Sequence, residues 1–93
     1  MKRISSIKWT KQNIEHISKH NIIPEEIEEV CFNTQDKPFI RTGDENLHYV
    51  FGQTTSGRYL FIVVKFLRNG EVLVITARDM NNWERNYYKK RGK

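Results

Sequence analysis

The apolar positions of this chain change period near residue 33. Before it they recur at helical spacing. After it they run in short blocks separated by Gly and Asn. Thr10 is a good N-cap for a first helix, with Ile14 and Ile17 on its buried side. The helix should close near His20-Asn21, because asparagine tolerates the left-handed conformation that ends helices. Pro24 suits the first turn of a second helix, and Glu25 and Glu26 favour its positive end. Ile27, Val30 and Cys31 follow an i, i+3, i+4 stripe, which predicts a buried face and makes Cys31 a small core residue. The four glutamates of that helix read as a solvated face.

A loop at 33–37 precedes strands predicted at about 38–42, 47–54, 58–67 and 71–78. Ser56-Gly57 and Asn69-Gly70 are short hairpin signals, so the four strands form an antiparallel meander. A last helix starts at Asn81, with Glu84 at capping-box spacing. The predicted fold class is α+β: two N-terminal helices, a four-stranded antiparallel sheet and a C-terminal helix, in a single domain over 1–93.

A two-residue turn at Asn69-Gly70 pairs Phe66 with Leu73, Val64 with Ile75 and Ile62 with Ala77. One face then carries Leu60, Ile62, Val64, Phe66, Leu73, Ile75 and Ala77, all apolar. The other carries Phe61, Val63, Lys65, Val74, Thr76 and Arg78. A two-residue turn at Ser56-Gly57 would place His48 opposite Lys65 on this second face; one more turn residue would flip it. Lys65 either snorkels to solvent at a sheet edge or joins Arg78 in a phosphate-binding surface.

Charge sharpens this picture. The net charge is +5, and it is uneven: +4 over residues 1–20, −5 over 21–46 and +6 over 47–93. A basic carboxy-terminal half attracts polyanions, so nucleic acid is the expected partner class. The single cysteine fits a reducing compartment. No apolar run approaches membrane-spanning length, and no apolar signal core follows the basic amino terminus. A soluble cytoplasmic protein with no membrane partner is the expectation.

Several residues resemble one family in order and spacing. They are Trp9, Ile17-Ser18-Lys19-His20, Pro24-Glu25-Glu26-Ile27-Glu28-Glu29-Val30, Gly52-Gln53, Gly57-Arg58-Tyr59-Leu60, Val63-Val64, Ile75-Thr76-Ala77-Arg78, Glu84-Arg85 and Tyr88. Together they resemble BrnT-type toxins over nearly the whole chain. Asn21 stands where that family has glycine, and Thr10 where an acid is common. The resemblance implies a RelE-like ribonuclease toxin of a type II toxin–antitoxin pair. It also implies a cognate antitoxin that represses transcription, here expected to be of ribbon-helix-helix type. A homodimer within the toxin–antitoxin complex is compatible with it.

Metal-independent RNA cleavage needs a base for the 2′-hydroxyl, cations for the phosphate and a proton for the leaving 5′-oxygen. Arg78 is the first choice for the phosphate, because its planar fork grips two oxygens; Lys65 and Arg85 follow. His20, His48 and Tyr88 are the candidates for proton transfer. His48, Arg58 and Lys89 are assigned to substrate binding. Trp83 and Tyr87, at i, i+4, read as packing or base stacking. His16 and His20 have a zinc-compatible spacing but lack a third ligand, so no metal or cofactor is expected. The basic tail 89–93 adds nonspecific RNA attraction. The alternative is a non-catalytic RNA-binding or partner-binding regulatory module. Catalysis requires Lys65, Arg78 and Arg85 to converge on one hollow.

Overall fold

A computed structural model describes residues 3–91. The elements are β1 (Ser6–Ile7), α1 (Lys11–Ser18), α2 (Pro24–Cys31), β2 (Phe39–Thr42), β3 (Leu47–Gln53), β4 (Tyr59–Phe66), β5 (Glu71–Asp79) and α3 (Asn82–Lys90). The fold is α+β, but the sheet differs from the expected four antiparallel strands. It has five strands in the order β1-β5-β4-β3-β2, and β1 runs parallel to β5. Two residues are too few for an alternating pattern, which is why β1 has no signature in the sequence. Met1, Lys2, Gly92 and Lys93 lie outside the described residues, so only part of the basic tail is described. No helix among the described residues is long and apolar enough to cross a membrane.

Helix starts follow local chemistry. The Thr10 side chain accepts from the Asn13 amide, and Asn21 takes the left-handed conformation (φ 60°) after α1. Glu26 accepts from the Ile23 amide at 3.1 Å and closes the start of α2. Asn81 and Glu84 form the expected capping box at α3. Ile17 is fully buried, whereas Ile14 is exposed, contrary to expectation: α1 faces β5 with Asn13, His16 and Ile17, since Asn13 donates to the Val74 carbonyl and His16 Nε2 lies 3.0 Å from Thr76 Oγ1.

Register is where the hairpins depart from the simplest turns. Asn69 and Gly70 both have positive φ, and the Glu71 amide donates to the Arg68 carbonyl. Glu71 also accepts from the Leu67 amide, so one residue opposes two and the pairing slips by one. Phe66 therefore faces Val72, and Val64 faces Val74. A second irregularity between Val63 and Val64 absorbs Ile75 and restores the expected pairing of Ile62 with Ala77. Val72 and Val74 are fully buried in place of Leu73 and Ile75, and Ile75 is exposed. Gly70 is needed twice, since a Cβ there would lie 2.4 Å from Ser5 Oγ.

The loop after β3 is one residue longer than a two-residue turn. The Thr54 amide donates to the Arg58 carbonyl, and Gln53 pairs with Tyr59. His48 thus opposes Val64 and turns to the core face, not toward Lys65.

α1 and α2 cover one face of the sheet. Their core is aliphatic: Ile17, Ile22, Ile27, Val30, Val50, Leu60, Ile62, Val64, Val72, Val74 and Ala77. α2 approaches β3 so closely that a Cβ on Gly52 would meet Val30 Cγ1 at 2.5 Å. α3 crosses the other face at one end, over an aromatic cluster of Phe51, Tyr88 and Met80 with Phe39, Tyr49, Tyr59, Phe61 and Tyr87.

Candidate nucleic-acid interface

The end of β5 and the start of α3 bring charged groups to the aromatic face. Arg78 pairs across the sheet with Phe61, and its guanidinium lies 4.5 Å from that ring's centroid. It is not a free cation. Nη1 and Nη2 donate to the two oxygens of Glu84 at 2.7 and 2.8 Å, and Nη1 also donates to the Asp79 carbonyl. The Arg78 side chain nevertheless keeps 42% of its surface open, against 9% for Glu84. Burial pulls the Glu84 carboxyl up, but hydrogen bonds from Arg78 and Asn81 and the charge of Arg78 hold it below its ordinary value. The hydrogen bonds to Glu84 in turn raise Arg78, against a smaller opposing effect of burial.

Arg58 lies beside this end but plays a different part. Nε and Nη2 grip Asp79, Nη1 reaches Glu26 and the Asn21 carbonyl, and Nη2 reaches the His20 carbonyl. Every N–H of the guanidinium is engaged, so Arg58 fastens the α1–α2 turn to β5 and has no donor left for substrate. Asp79 is held below the ordinary carboxylate value, first by the hydrogen bonds from Arg58 and then by its charge, against the effect of burial. The charges of Arg85 and His20 act on Asp79 as well. Arg85 and Lys89, one helical turn apart, lie 5.6 and 5.4 Å from the centroid of the Tyr59 ring, and both are exposed. His20 is exposed, with its ring 6.1 Å from that of His16.

The sequence candidates thus divide. Arg85 and Lys89 lie over Tyr59, the partly engaged Arg78 lies over the neighbouring Phe61, and His20 acts with Arg85 on Asp79. Lys65 does not join them. It pairs with Leu47 and Leu73, four residues along β4 from Phe61, or about 13 Å at strand spacing. Nor is it at a sheet edge, since β4 is the central strand; it is exposed because α3 leaves that end of the face uncovered. His48 is buried against the Phe66 ring at 4.8 Å, and its Nδ1 has no hydrogen-bond partner among the described residues. Tyr88 is 2% exposed, and its hydroxyl donates to Asp36. Burial chiefly, with Asp36, pushes that phenol up to about 12, and the Arg91 guanidinium lies 3.7 Å from the ring centroid. Tyr88 is a packed residue, unsuited to proton transfer.

Burial likewise pushes the Cys31 thiol up to about 12, with Glu28 adding to the effect, consistent with a core role. Three of the four glutamates of α2 have specific partners instead of a solvated face. Glu26 binds Arg58, Glu28 accepts from the Trp9 indole, and Glu29 accepts from the Thr55 amide. Asp79, Tyr59 and Arg41 are the residues that sequence reasoning missed. Arg41 donates to the Tyr87 hydroxyl, 46 residues away, and no local pattern announces that contact. Among the described residues, no group of three His, Cys, Asp or Glu side chains is arranged to hold a metal ion.

No protein-family model matches this chain, and no curated protein matches it.

Proposed function

We propose that this chain is a RelE-like ribonuclease toxin of the BrnT type, acting in the cytoplasm and held in check by a ribbon-helix-helix antitoxin, as its sequence resemblance implies. The observation that carries the reading is the row of cations Arg78, Arg85 and Lys89 over Phe61 and Tyr59, with an exposed His20 whose charge acts on Asp79 next to Arg78 in the chain. Among the described residues, Arg78 Nε and one Nη2 proton make no hydrogen bond, enough to meet a phosphoryl oxygen from the exposed side. Glu84 fixes the plane of that guanidinium, so little reorganisation is needed when charge grows on the phosphate. Arg85 and Lys89 extend the cationic strip along α3.

Histidine is the side chain most used for proton transfer, and His20 is exposed just after α1, where its charge acts on Asp79. It takes the 2′-hydroxyl proton as the 2′-oxygen bonds to phosphorus. The bond to the 5′-oxygen breaks, and His16, next to His20, returns a proton to that oxygen. The products are a 2′,3′-cyclic phosphate and a free 5′-hydroxyl.

The test is incubation of the purified chain with a single-stranded RNA in a metal chelator. Cleavage with cyclic-phosphate ends is expected, lost by about 10²-fold or more in Arg78→Ala and His20→Ala. One observation favours a second reading, a non-catalytic RNA-binding or regulatory module: the Glu84 carboxylate already neutralises Arg78. That module would bind the same RNA with steep salt dependence and leave it intact.

A further inference from the structure

Trp83 has an unusual position for a tryptophan. It is 68% exposed, yet its ring is not loose. It stacks on Tyr87 with centroids 5.1 Å apart and planes 13° from parallel. Tyr87 is itself wedged edge-on against Phe39 and Phe51, at 5.5 and 5.6 Å. The Arg41 guanidinium lies 5.5 Å from the Tyr87 centroid and donates to its hydroxyl. One indole face is therefore supported from below by a braced ring, and the other is open to solvent. Stacking platforms for unpaired bases need such a pre-oriented flat face, because a base brings no shape of its own beyond its π-surface.

The surroundings select the ligand. Cations lie against the pair and against other rings of the same cluster: Arg41 beside Tyr87, Arg78 beside Phe61, Arg85 and Lys89 beside Tyr59. Glu84, the one acid in α3, is buried and spent on Arg78 and Asn81. An apolar protein partner would meet a ring of positive charge here, whereas a polyanion with flat bases meets both things it needs. The stacked pair is joined to Arg78 through the cluster itself: Tyr87 packs on Phe51, the Phe51 and Phe61 rings lie 5.2 Å apart, and Arg78 lies against Phe61. We propose that Trp83, braced by Tyr87, is the stacking site for an unpaired base of single-stranded RNA whose backbone runs over the same aromatic cluster to Arg78. This deepens the RNA reading above and rests on it.

Fluorescein-labelled decauridylate is the probe, titrated by anisotropy at several KCl concentrations. Trp83→Ala is expected to weaken binding about 5- to 150-fold, the worth of one stacked base. Its salt slope should stay unchanged, since no charge is removed. Trp83→Phe should retain most of the affinity, because a phenyl ring still stacks. Lys89→Ala should instead reduce the slope by about one. A Trp9→Phe variant, in which Trp83 is the remaining tryptophan, should show emission quenched by the oligonucleotide.

Trp83→Ala binding as tightly as wild type, while Lys89→Ala binds more weakly, would sink the stacking site and leave the RNA reading standing. Decauridylate binding by no form of the protein would remove both. If wild type sediments as a dimer, Trp83→Ala as a monomer, and both bind RNA alike, the indole is a contact between copies and the proposal is wrong.

Discussion

The two faces of the sheet bury their surface in different ways. On the α1–α2 face, Leu60, Ile62, Val64, Val72 and Val74 are fully inaccessible within an aliphatic cluster. On the α3 face, rings do the packing, and cations lie against several of them: Arg41 on Tyr87, Arg78 on Phe61, Arg85 and Lys89 on Tyr59, Arg91 on Tyr88. A nine-residue helix cannot cover a five-stranded face. The rings left at its margin are shielded by guanidinium and ammonium groups that stay in water at their tips. The lesson is that availability ranks the cations, not charge. Arg58 is fully committed to the fold, Arg78 partly, and Arg85 and Lys89 only to a ring face.

The largest expected effect separates the faces by stability. Ile62→Ala should cost about 2–5 kcal/mol by urea denaturation, because it opens a cavity where nothing can relax. Ile75→Ala, on the exposed side of the β5 irregularity, should stay within about 0.5 kcal/mol of wild type. Equal losses would mean that the faces are not packed as described. Next comes Arg58→Ala, expected to cost about 1–3 kcal/mol after allowing for a side chain one-quarter exposed. Arg58→Lys should restore little, since an ammonium cannot span Asp79, Glu26 and two carbonyls at once. Arg85→Ala should leave the urea midpoint almost unmoved. A midpoint as low as that of Arg58→Ala would erase the distinction between committed and available cations.

Acid sharpens the same contrast at smaller amplitude. Asp79 and Glu84 both lie below their ordinary values of 3.8 and 4.5 in the folded chain. Just below those values the unfolded chain therefore binds more protons than the folded one. The stability they contribute is fully present above about pH 4.5 and is lost as pH falls through the folded values. Asp79→Asn and Glu84→Gln should each flatten the fall in urea midpoint between about pH 5 and pH 2. An unchanged acid limb in both would mean that neither ion pair survives in solution.

How much of this was legible follows from range. Thr10, Pro24 and the Asn81–Glu84 box are local signals, and each cap forms where its residues predict. The stripe Ile27, Val30, Cys31 is buried as its period requires. Register needed information that turns hide. Ser56-Gly57 looked like a two-residue turn, but Arg58 gives its amide to Thr54 Oγ1 and lengthens the loop. That single residue moved His48 from the proposed site into the core. Asn69-Gly70 is a turn in sequence and structure alike, yet its offset and the compensating Ile75 irregularity exchange Leu73 for Val72 while returning Ala77 to its expected partner. Either alternative buries an unbroken apolar row, so hydrophobicity could not choose between them. The cationic residues of the site were visible as types. Their commitments were not, because Arg58 with Glu26 and Arg41 with Tyr87 join residues far apart in the chain.

The smallest expected effect falls on Lys65, and it tests where the interface ends. Lys65 shares a face with Arg78 but stands about 13 Å from it by strand geometry, beyond the screening length of roughly 8–10 Å at physiological salt. An exposed lysine at that distance adds little to a phosphate held at Arg78. Lys65→Ala should leave stability within about 0.5 kcal/mol of wild type and leave RNA cleavage unchanged, while lowering the salt slope of binding by less than one. Its neighbours Leu47, Val63 and Leu73 offer a base no ring to lie on, so a strand of RNA gains nothing by crossing that end. If Lys65→Ala instead abolishes cleavage as Arg78→Ala should, RNA runs the full length of the aromatic face, and the division drawn between its covered and open ends is wrong.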